Sequence, residues 1–125
     1  MSLHTPGLEH RHAGLAALSS RYVSCEELPW TPTPFPGVSM KVLVQDPDTG
    51  LQTVLTQMDP GAVLPDHEHV GLEQSWVIEG SLVDHEGEVK AGGFVWRPAG
   101  SRHAAHAPHG ALVLGIFQQP NRFFG

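Results

Sequence analysis

The chain has few cysteines, few basic residues and no long apolar run, and each shortage excludes a class of protein. A single cysteine, Cys25, excludes an internal disulfide and any zinc framework built from several cysteines. Seven basic residues against thirteen acidic ones give a formal net charge of -6, which disfavours nucleic-acid binding because phosphate backbones are repelled. No apolar run approaches the roughly 20 residues that span a bilayer. The apolar run at residues 13–18 is shorter than the core of a signal peptide, which has about 7–15 residues. We therefore expect a cytoplasmic protein that binds neither membranes nor nucleic acids.

Glycine and proline, in contrast, are abundant. Fourteen glycines and eleven prolines among 125 residues interrupt almost every segment that could form a long helix. A chain of this length folds as one domain around one hydrophobic core. Short strands joined by turns are the architecture that this composition favours.

Alternation of apolar and polar residues locates the strands. Between residues 38 and 45, Val38, Met40, Val42 and Val44 alternate with their neighbours at a period near two, and residues 51–58 repeat the pattern after a turn at residues 46–50. The two runs predict a β-hairpin. Turn signals every 8–12 residues favour an all-β sandwich or barrel over a β-α-β layout. Further strands are predicted at residues 74–83, 93–97, 103–107 and 111–118. Residues 1–20 are predicted to be a flexible arm with one helical turn near residues 15–18, and residues 21–125 the folded domain.

A histidine pair lies in the most informative stretch, residues 61–73. Side chains at i and i+2 of a strand share a face, so His67 and His69 point the same way, and Glu73 keeps that parity unless Gly71 introduces a bulge. Two imidazoles and a carboxylate can chelate a divalent first-row metal. A fourth ligand has to come from another strand, and His103 follows a Pro-x-Gly turn where it can face the first pair across a barrel.

Each of these residues has an ordinary explanation when taken alone. A His-x-His pair on an exposed strand is often surface chemistry, Glu73 a solvated carboxylate, and His103 a turn histidine. Four ligand-type residues beside Gly/Pro turns at two separate places make coincidence much less plausible. The remaining histidines are not predicted to be ligands: His106 faces the opposite side of its strand from His103, and the others lie in turns or in the arm (His4, His10, His12, His85, His109).

Both stretches resemble the cupin family. The spacing Gly61-x5-His67-x-His69-x3-Glu73-x6-Gly80 matches the first cupin motif, and Gly92-x5-Pro98-x-Gly100-x2-His103 matches the second up to its histidine. The chain departs from the second motif at Ala107, where the family has an asparagine. The resemblance covers a motif core of residues 38–118, within a cupin domain of residues 21–125. Residues 76–87 and 98–103 resemble the branch that contains ChrR-type anti-sigma factors and small proteins such as acetylacetone or dihydroxyacetophenone dioxygenases.

The resemblance implies an all-β fold, a small single-domain cupin with a conical, jelly-roll barrel. It also implies a metal site with His67, His69, Glu73 and His103 as ligands and one or two open coordination positions, as catalysis requires. Fe(II) and Zn(II) are the leading candidates, and Mn, Ni and Cu also suit this donor set. ChrR-type proteins carry a zinc-binding N-terminal domain that binds the sigma factor. This chain lacks that cysteine cluster, so we expect no sigma-binding role.

The leading hypothesis is a non-haem dioxygenase-like enzyme that acts on a small oxygenated organic molecule, such as a diketone or a hydroxyaryl ketone. The alternative is a non-catalytic zinc-binding sensor or regulatory cupin related to the ChrR-type domains. A metal-free sugar isomerase is the weakest reading, because its cavity would not need three histidines and a glutamate at ligand spacing. No catalytic residue is assigned from the sequence.

Cavity-lining and interface residues are predicted from strand parity alone. Arg97 and Arg102 come directly before Pro98 and His103 of the second motif, and a surface ion pair is expected for each. Strand aromatics are expected in the core or at a subunit contact, and exposed sheet edges predict a homodimer in which residues 20–37 help to cover an edge. The candidates for the substrate cavity are Met40, Val42, Gln57, Ser75 and Val77.

Overall fold

The computed structural model describes residues 2–124, and nearly all of their regular structure is β-strand. The only helical elements within that range are a short α-helix, α1, at Glu9–His12 and a 3-10 turn at Cys25–Glu27. None of the helices in this range is long and apolar enough to cross a membrane. The strands are β1 Thr31–Pro32, β2 Val38–Gln45, β3 Gln52–Met58, β4 Ala62–Glu68, β5 Glu73–Val83, β6 Glu88–Lys90, β7 Phe94–Arg97, β8 Arg102–Ala107, β9 Ala111–Phe117 and β10 Arg122–Phe123.

The fold is a small jelly roll, as predicted. All strand pairs are antiparallel, in the order β1-β2-β3-β9-β5-β8-β4-β10, with β6 and β7 also pairing with β5. The long strand β5 belongs to both faces: its first half pairs with β7 and β9, and its last residues pair with β6 and β8. The curled sheet therefore closes on itself around one interior.

Gly80 allows β5 to change faces. It lies just after a register shift between Val77 and Glu79 and has φ +75°, a backbone conformation that L side chains rarely adopt. A Cβ atom built at Gly80 would lie 1.9 Å from the carbonyl oxygen of Gly110. Since no side chain fits at that distance, the close approach of two backbones requires a glycine at position 80, the last position of the first motif.

The barrel is solid at one end and hollow at the other. Apolar side chains fill the end where Met58 pairs with Ala111 and Ala62 with Ala107. At the other end, where Gln52 pairs with Phe117 and His67 with His103, a cavity of about 210 Å³ remains. The core cluster comprises Val38, Met58, Ala62, Val77, Leu82, Ala107, Ala111 and Val113.

The segment before β2 covers the outer edge of that strand. β1 pairs with Ser39 and Met40, and His4 forms an isolated bridge with Gln45. The Thr5 hydroxyl donates a hydrogen bond of 2.7 Å to the Leu43 carbonyl, and Thr5 is buried. The start of the predicted arm is therefore packed against the barrel, and its helical turn lies at Glu9–His12 rather than at residues 15–18. The division into a flexible arm and a domain stays a prediction.

Candidate metal centre

Three histidines converge at the hollow end of the barrel. His67 lies near the end of β4 directly opposite His103 on β8, and His69 follows one residue after β4. The backbone of His69 is tied to the β7–β8 turn, because its N–H donates to the Ser101 carbonyl (2.8 Å) and its carbonyl accepts from Gly100 (2.7 Å). All three side chains are buried, and each offers one nitrogen within 4.8 Å of the other two. An arrangement of this size can hold a metal ion.

Each imidazole has its Nδ1 atom engaged away from the cluster. Nδ1 of His67 lies 2.8 Å from the Pro65 carbonyl, and Nδ1 of His103 lies 2.9 Å from Oδ2 of Asp84. Nδ1 of His69 lies 2.9 Å from the Ser101 hydroxyl oxygen, whose own proton is donated to the Pro98 carbonyl. Because a neutral imidazole that donates from Nδ1 has its lone pair on Nε2, the three Nε2 atoms are left as ligands.

The surroundings of His69 Nε2 test whether the site suits a cation. This atom is buried and has no hydrogen-bond partner of acceptable geometry among the described residues, although Oε2 of Glu73 lies only 3.0 Å away. With the imidazole proton on Nδ1, a lone pair and a carboxylate oxygen face each other. Two acceptors in such contact repel unless a positive ion lies between or beside them. The donor set, imidazole nitrogens with one carboxylate, is one that divalent first-row metals prefer, so the residues fit the metal.

Arg97 corrects one sequence-based expectation. It does not form a surface ion pair: its side chain is only 11% exposed, and its Nη1 atom lies 2.8 Å from Oδ2 of Asp84 in a buried salt bridge. Its Nε atom lies 3.6 Å from Oε2 of Glu73. The expectation failed because Asp84 and Glu73 lie at opposite ends of β5, and curling of the sheet brings both to one guanidinium. Arg102 does form the predicted exposed pair, with Asp66 at 2.6 Å.

Burial and charge adjust the protonation of this cluster toward metal binding. Burial lowers the pKa of His67, and burial together with the Arg97 charge lowers the pKa of His103 to about 4. Burial alone would raise the pKa of Glu73, but the positive charges of Arg97 and of His69 when that ring is protonated outweigh burial and lower the pKa. His67 and His103 are therefore neutral and Glu73 is ionised at neutral pH, the states that metal ligands require.

The cavity beside the histidines is mostly apolar. Of the residues predicted to line it, Met40 and Ser75 do so, whereas Gln57 is exposed on the outer face of β3 because the neighbouring Thr56 and Met58 turn inward. Val77 is fully buried in the solid core, and Val42 lies at a register shift of β2 outside the lining.

A late segment of the chain, residues 120–123, lines the cavity, and no periodic pattern in the sequence predicts it. Phe123 of β10 lies with its ring centroid 4.9 Å from that of His67 and 4.6 Å from that of Phe35. Asn121 also lines the cavity, and its Oδ1 atom is buried without a hydrogen-bond partner among the described residues. One unpartnered polar atom and two aromatic rings therefore line the cavity.

The prediction for His106 is confirmed, whereas three of the strand aromatics do not lie in the core, and their predicted role at a subunit contact stays a prediction. His106 is exposed on the side of β8 opposite His103. Three strand aromatics are largely exposed on the outer face of the sheet (Trp76, Phe94 and Trp96). Asp84 is the residue that sequence reasoning missed, and its only signal is the Asp-x-x-Gly turn that it begins, which reads as an ordinary turn.

Comparison with known proteins agrees with the fold. A proposed acetylacetone dioxygenase from Methylibium petroleiphilum PM1 superimposes with a TM-score of 0.80 at 23% identity, covering 89% of this chain and 85% of that one. Acetylacetone dioxygenase from Acinetobacter johnsonii gives 0.74 at 18% identity, covering 89% and 80%. The Rhodobacter sphaeroides complex of SigE with the anti-sigma ChrR gives 0.64 at 24% identity, covering 75% of this chain and half of that one.

No curated protein matches the chain. The family model of the ChrR Cupin-like domain matches residues 18–121, which is most of the chain and includes all four predicted ligands. The chain therefore belongs to the ChrR Cupin-like domain family of cupins.

Proposed function

We propose that the protein is a metal-dependent cupin enzyme, a non-haem dioxygenase that cleaves a small oxygenated organic molecule. His67, His69 and His103 hold the metal, and Glu73 is the fourth ligand. The observation that carries the proposal is the convergence of three buried imidazoles whose Nδ1 atoms are all engaged elsewhere. A bound metal such as Fe(II) would supply Lewis acidity and electrons for reaction with dioxygen.

The chain's own residues bind and enclose the substrate. The cavity has room for a small molecule, and its apolar lining excludes water from the reacting groups. Phe123 and Phe35 favour a flat or apolar group at the mouth. Asn121 lines the same cavity as these two rings, and its amide can donate a hydrogen bond to a substrate oxygen or accept one from a substrate hydroxyl. A diketone or a hydroxyaryl ketone combines these features, since either presents two oxygen atoms on a compact apolar frame. The resemblance in fold to acetylacetone dioxygenases supports this substrate class.

Oxygen consumption tests the activity. Protein purified without metal, loaded anaerobically with Fe(II) and then mixed with aerated acetylacetone or 2,4-dihydroxyacetophenone, should consume oxygen and substrate together. His103→Ala should abolish the uptake, and the control His106→Ala, on the outer side of the same strand, should leave it unchanged. Flat traces across a panel of diketones and hydroxyaryl ketones, from protein shown to hold Fe(II), would refute the enzymatic proposal.

The family match also favours a second candidate, a zinc-binding sensor or regulatory domain. Zinc has no redox chemistry, so this candidate predicts tight zinc retention and no oxygen uptake with any metal. The same panel therefore separates the two functions, provided that the metal content of each sample is measured.

We also propose that the protein is a homodimer through the outer face of β5, β7 and β9. In this register Trp76 pairs with Phe94 and Gln74 with Trp96, which brings the three aromatic side chains together on that face. They are 48%, 50% and 61% exposed for Trp76, Phe94 and Trp96. At about 150–250 Å² for each ring system, they leave roughly 300 Å² of apolar surface, which is comparable to the largest apolar patch of a typical monomer, a patch that often has a function.

Sedimentation velocity tests the dimer. The wild type should sediment as a dimer at micromolar concentration, and Trp96→Glu should sediment as a monomer because the interface would then bury a charge. Leu18→Glu, at a fully exposed position remote from the sheet, is the matched control and should remain dimeric. A wild type that sediments as a monomer would refute the assembly without affecting the metal site.

A further inference from the structure

We infer that Asp84 and Arg97 form a positioning pair for the metal site: Asp84 orients His103, and Arg97 holds Asp84 and Glu73 on either side of the three imidazoles. The inference rests on the proposed metal site and assigns a role to two residues that lie outside the four ligands. It starts from an asymmetry among the three histidines. His67 and His69 have neutral oxygen partners at Nδ1, and only the Nδ1 atom of His103 faces a carboxylate.

A carboxylate behind a histidine ligand fixes the ring and makes the ligating nitrogen a stronger donor. Asp84 is well placed for this task, because its side chain is only 5% exposed and lies 2.9 Å from His103 Nδ1. The contact joins β5 to β8 at a place where these strands share one register pair, Val83 with His106. Asp84 is therefore the side chain that aligns His103 with the two histidines of the other motif.

Asp84 is itself held rigidly. Its Oδ1 atom accepts hydrogen bonds from the backbone N–H groups of Glu86 (2.8 Å) and Gly87 (3.0 Å), within the turn that ends β5. Its Oδ2 atom accepts from His103 (2.9 Å) and contacts Arg97 (2.8 Å). With both oxygens engaged in different directions, the carboxylate has no free rotation, and the orientation that it imposes on the imidazole is fixed.

Arg97 connects Asp84 to the other side of the cluster. The guanidinium presents Nη1 to Asp84 and Nε to Glu73, so one cation balances two nearly buried carboxylates. The contact with Arg97 also keeps Oε2 of Glu73 beside Nε2 of His69. A lysine in its place would keep the charge and lose the two-sided geometry, because an ammonium is a point charge without a planar fork.

Metal affinity and a cobalt spectrum test the pair together. Metal-free wild type, Asp84→Asn and Arg97→Lys are titrated with Co(II) against a competing chelator, and the visible absorption of the bound cobalt is recorded. Asp84→Asn keeps an oxygen for the turn, so the fold should survive while the negative charge behind His103 is lost. We expect affinity to fall by about 10- to 100-fold for Asp84→Asn and by several-fold for Arg97→Lys, with shifted cobalt bands in both.

Asp66→Asn is the matched control. Asp66 is also paired with an arginine and precedes His67 in sequence, but the pair is exposed and contacts no imidazole. Its affinity should stay within twofold of wild type, and its spectrum should be unchanged. Far-UV circular dichroism of each metal-free variant checks the fold, and Arg97→Lys carries the test if Asp84→Asn does not fold.

The outcomes separate the two claims. Wild type that binds Co(II) while both variants keep wild-type affinity and spectra would overturn the positioning pair and leave the metal site intact. Variants that lose only stability, with unchanged cobalt spectra, would also overturn it, because that is a structural role. Wild type and Asp66→Asn that both fail to bind Co(II) would refute the proposed function itself, and the pair with it.

Discussion

Replacing Arg97 with methionine should lower the free energy of unfolding of the metal-free protein much more than the same change at Arg102. Both arginines lie within the second motif and both form an ion pair with an aspartate. They differ in burial, because the side chains of Arg97 and Asp84 are 11% and 5% exposed whereas those of Arg102 and Asp66 are 55% and 44% exposed. The comparison therefore separates a buried pair from an exposed one within one chain.

The size of the effect follows from what Arg97 leaves behind. Methionine fills most of the space of the arginine stem, so the main loss is electrostatic rather than a cavity. Two nearly buried carboxylates, Asp84 and Glu73, would then lack their cation. Breaking a buried pair by removing one partner costs about 3–5 kcal/mol, a large share of the roughly 5–15 kcal/mol that stabilises a typical domain. At Arg102 solvent screens the charges, and little change is expected.

Urea denaturation followed by tryptophan fluorescence, in the presence of a chelator at pH 7.5, measures the difference. A loss of about 3 kcal/mol lowers the urea midpoint by roughly 1–3 M for a protein of this size. Arg97→Met should show that shift, and Arg102→Met should unfold near the wild-type midpoint. Equal urea midpoints for the two variants would refute the claim that Arg97 stabilises the protein through buried ion pairs with Asp84 and Glu73.

Two further predictions concern the backbone and the pH. Gly80→Ala should lower the free energy of unfolding by several kcal/mol or prevent folding, because the new Cβ would lie 1.9 Å from a carbonyl oxygen and the residue has φ +75°. Gly87→Ala is the control: nothing lies near its Cβ, so it should unfold like wild type in the same urea assay. Because the pKa of His103 falls to about 4 in the folded metal-free state against about 6.5 when unfolded, the unfolded chain binds more protons between those values. The stability that comes from His103 should be fully present above about pH 6.5 and fall by about 3 kcal/mol toward pH 4. Urea midpoints that do not change over that range would contradict this.

Much of the barrel could be predicted because apolar residues recur at every second position along its long strands. The predicted strand at residues 38–45 coincides with β2, and that at residues 74–83 with all but the first residue of β5. β10, at Arg122–Phe123, has two residues and no period to detect, although it closes the cavity beside His67. Parity also failed for Gln57, because the alternation identifies two faces without saying which one is inside.

The ligand-type histidines could be predicted for a different reason. Their spacing on two strands and the glycine turns beside them are local features, so the sequence holds the whole signal. The partners behind them are not local: Asp84 and Arg97 meet only because β5 curls and β7 returns alongside its first half. An arginine near a motif and an aspartate in a turn have no sequence feature that distinguishes this pair from the exposed pair of Arg102 and Asp66.

Anomalous diffraction from crystals of protein loaded with one equivalent of Co(II) tests the central claim most directly. A single strong peak should lie among the three imidazoles, with Nε2 of His67, His69 and His103 at about 2.0–2.2 Å and an oxygen of Glu73 at a similar distance. The account is contradicted if the loaded crystals show no peak between these side chains, or if the cobalt is held elsewhere on the chain.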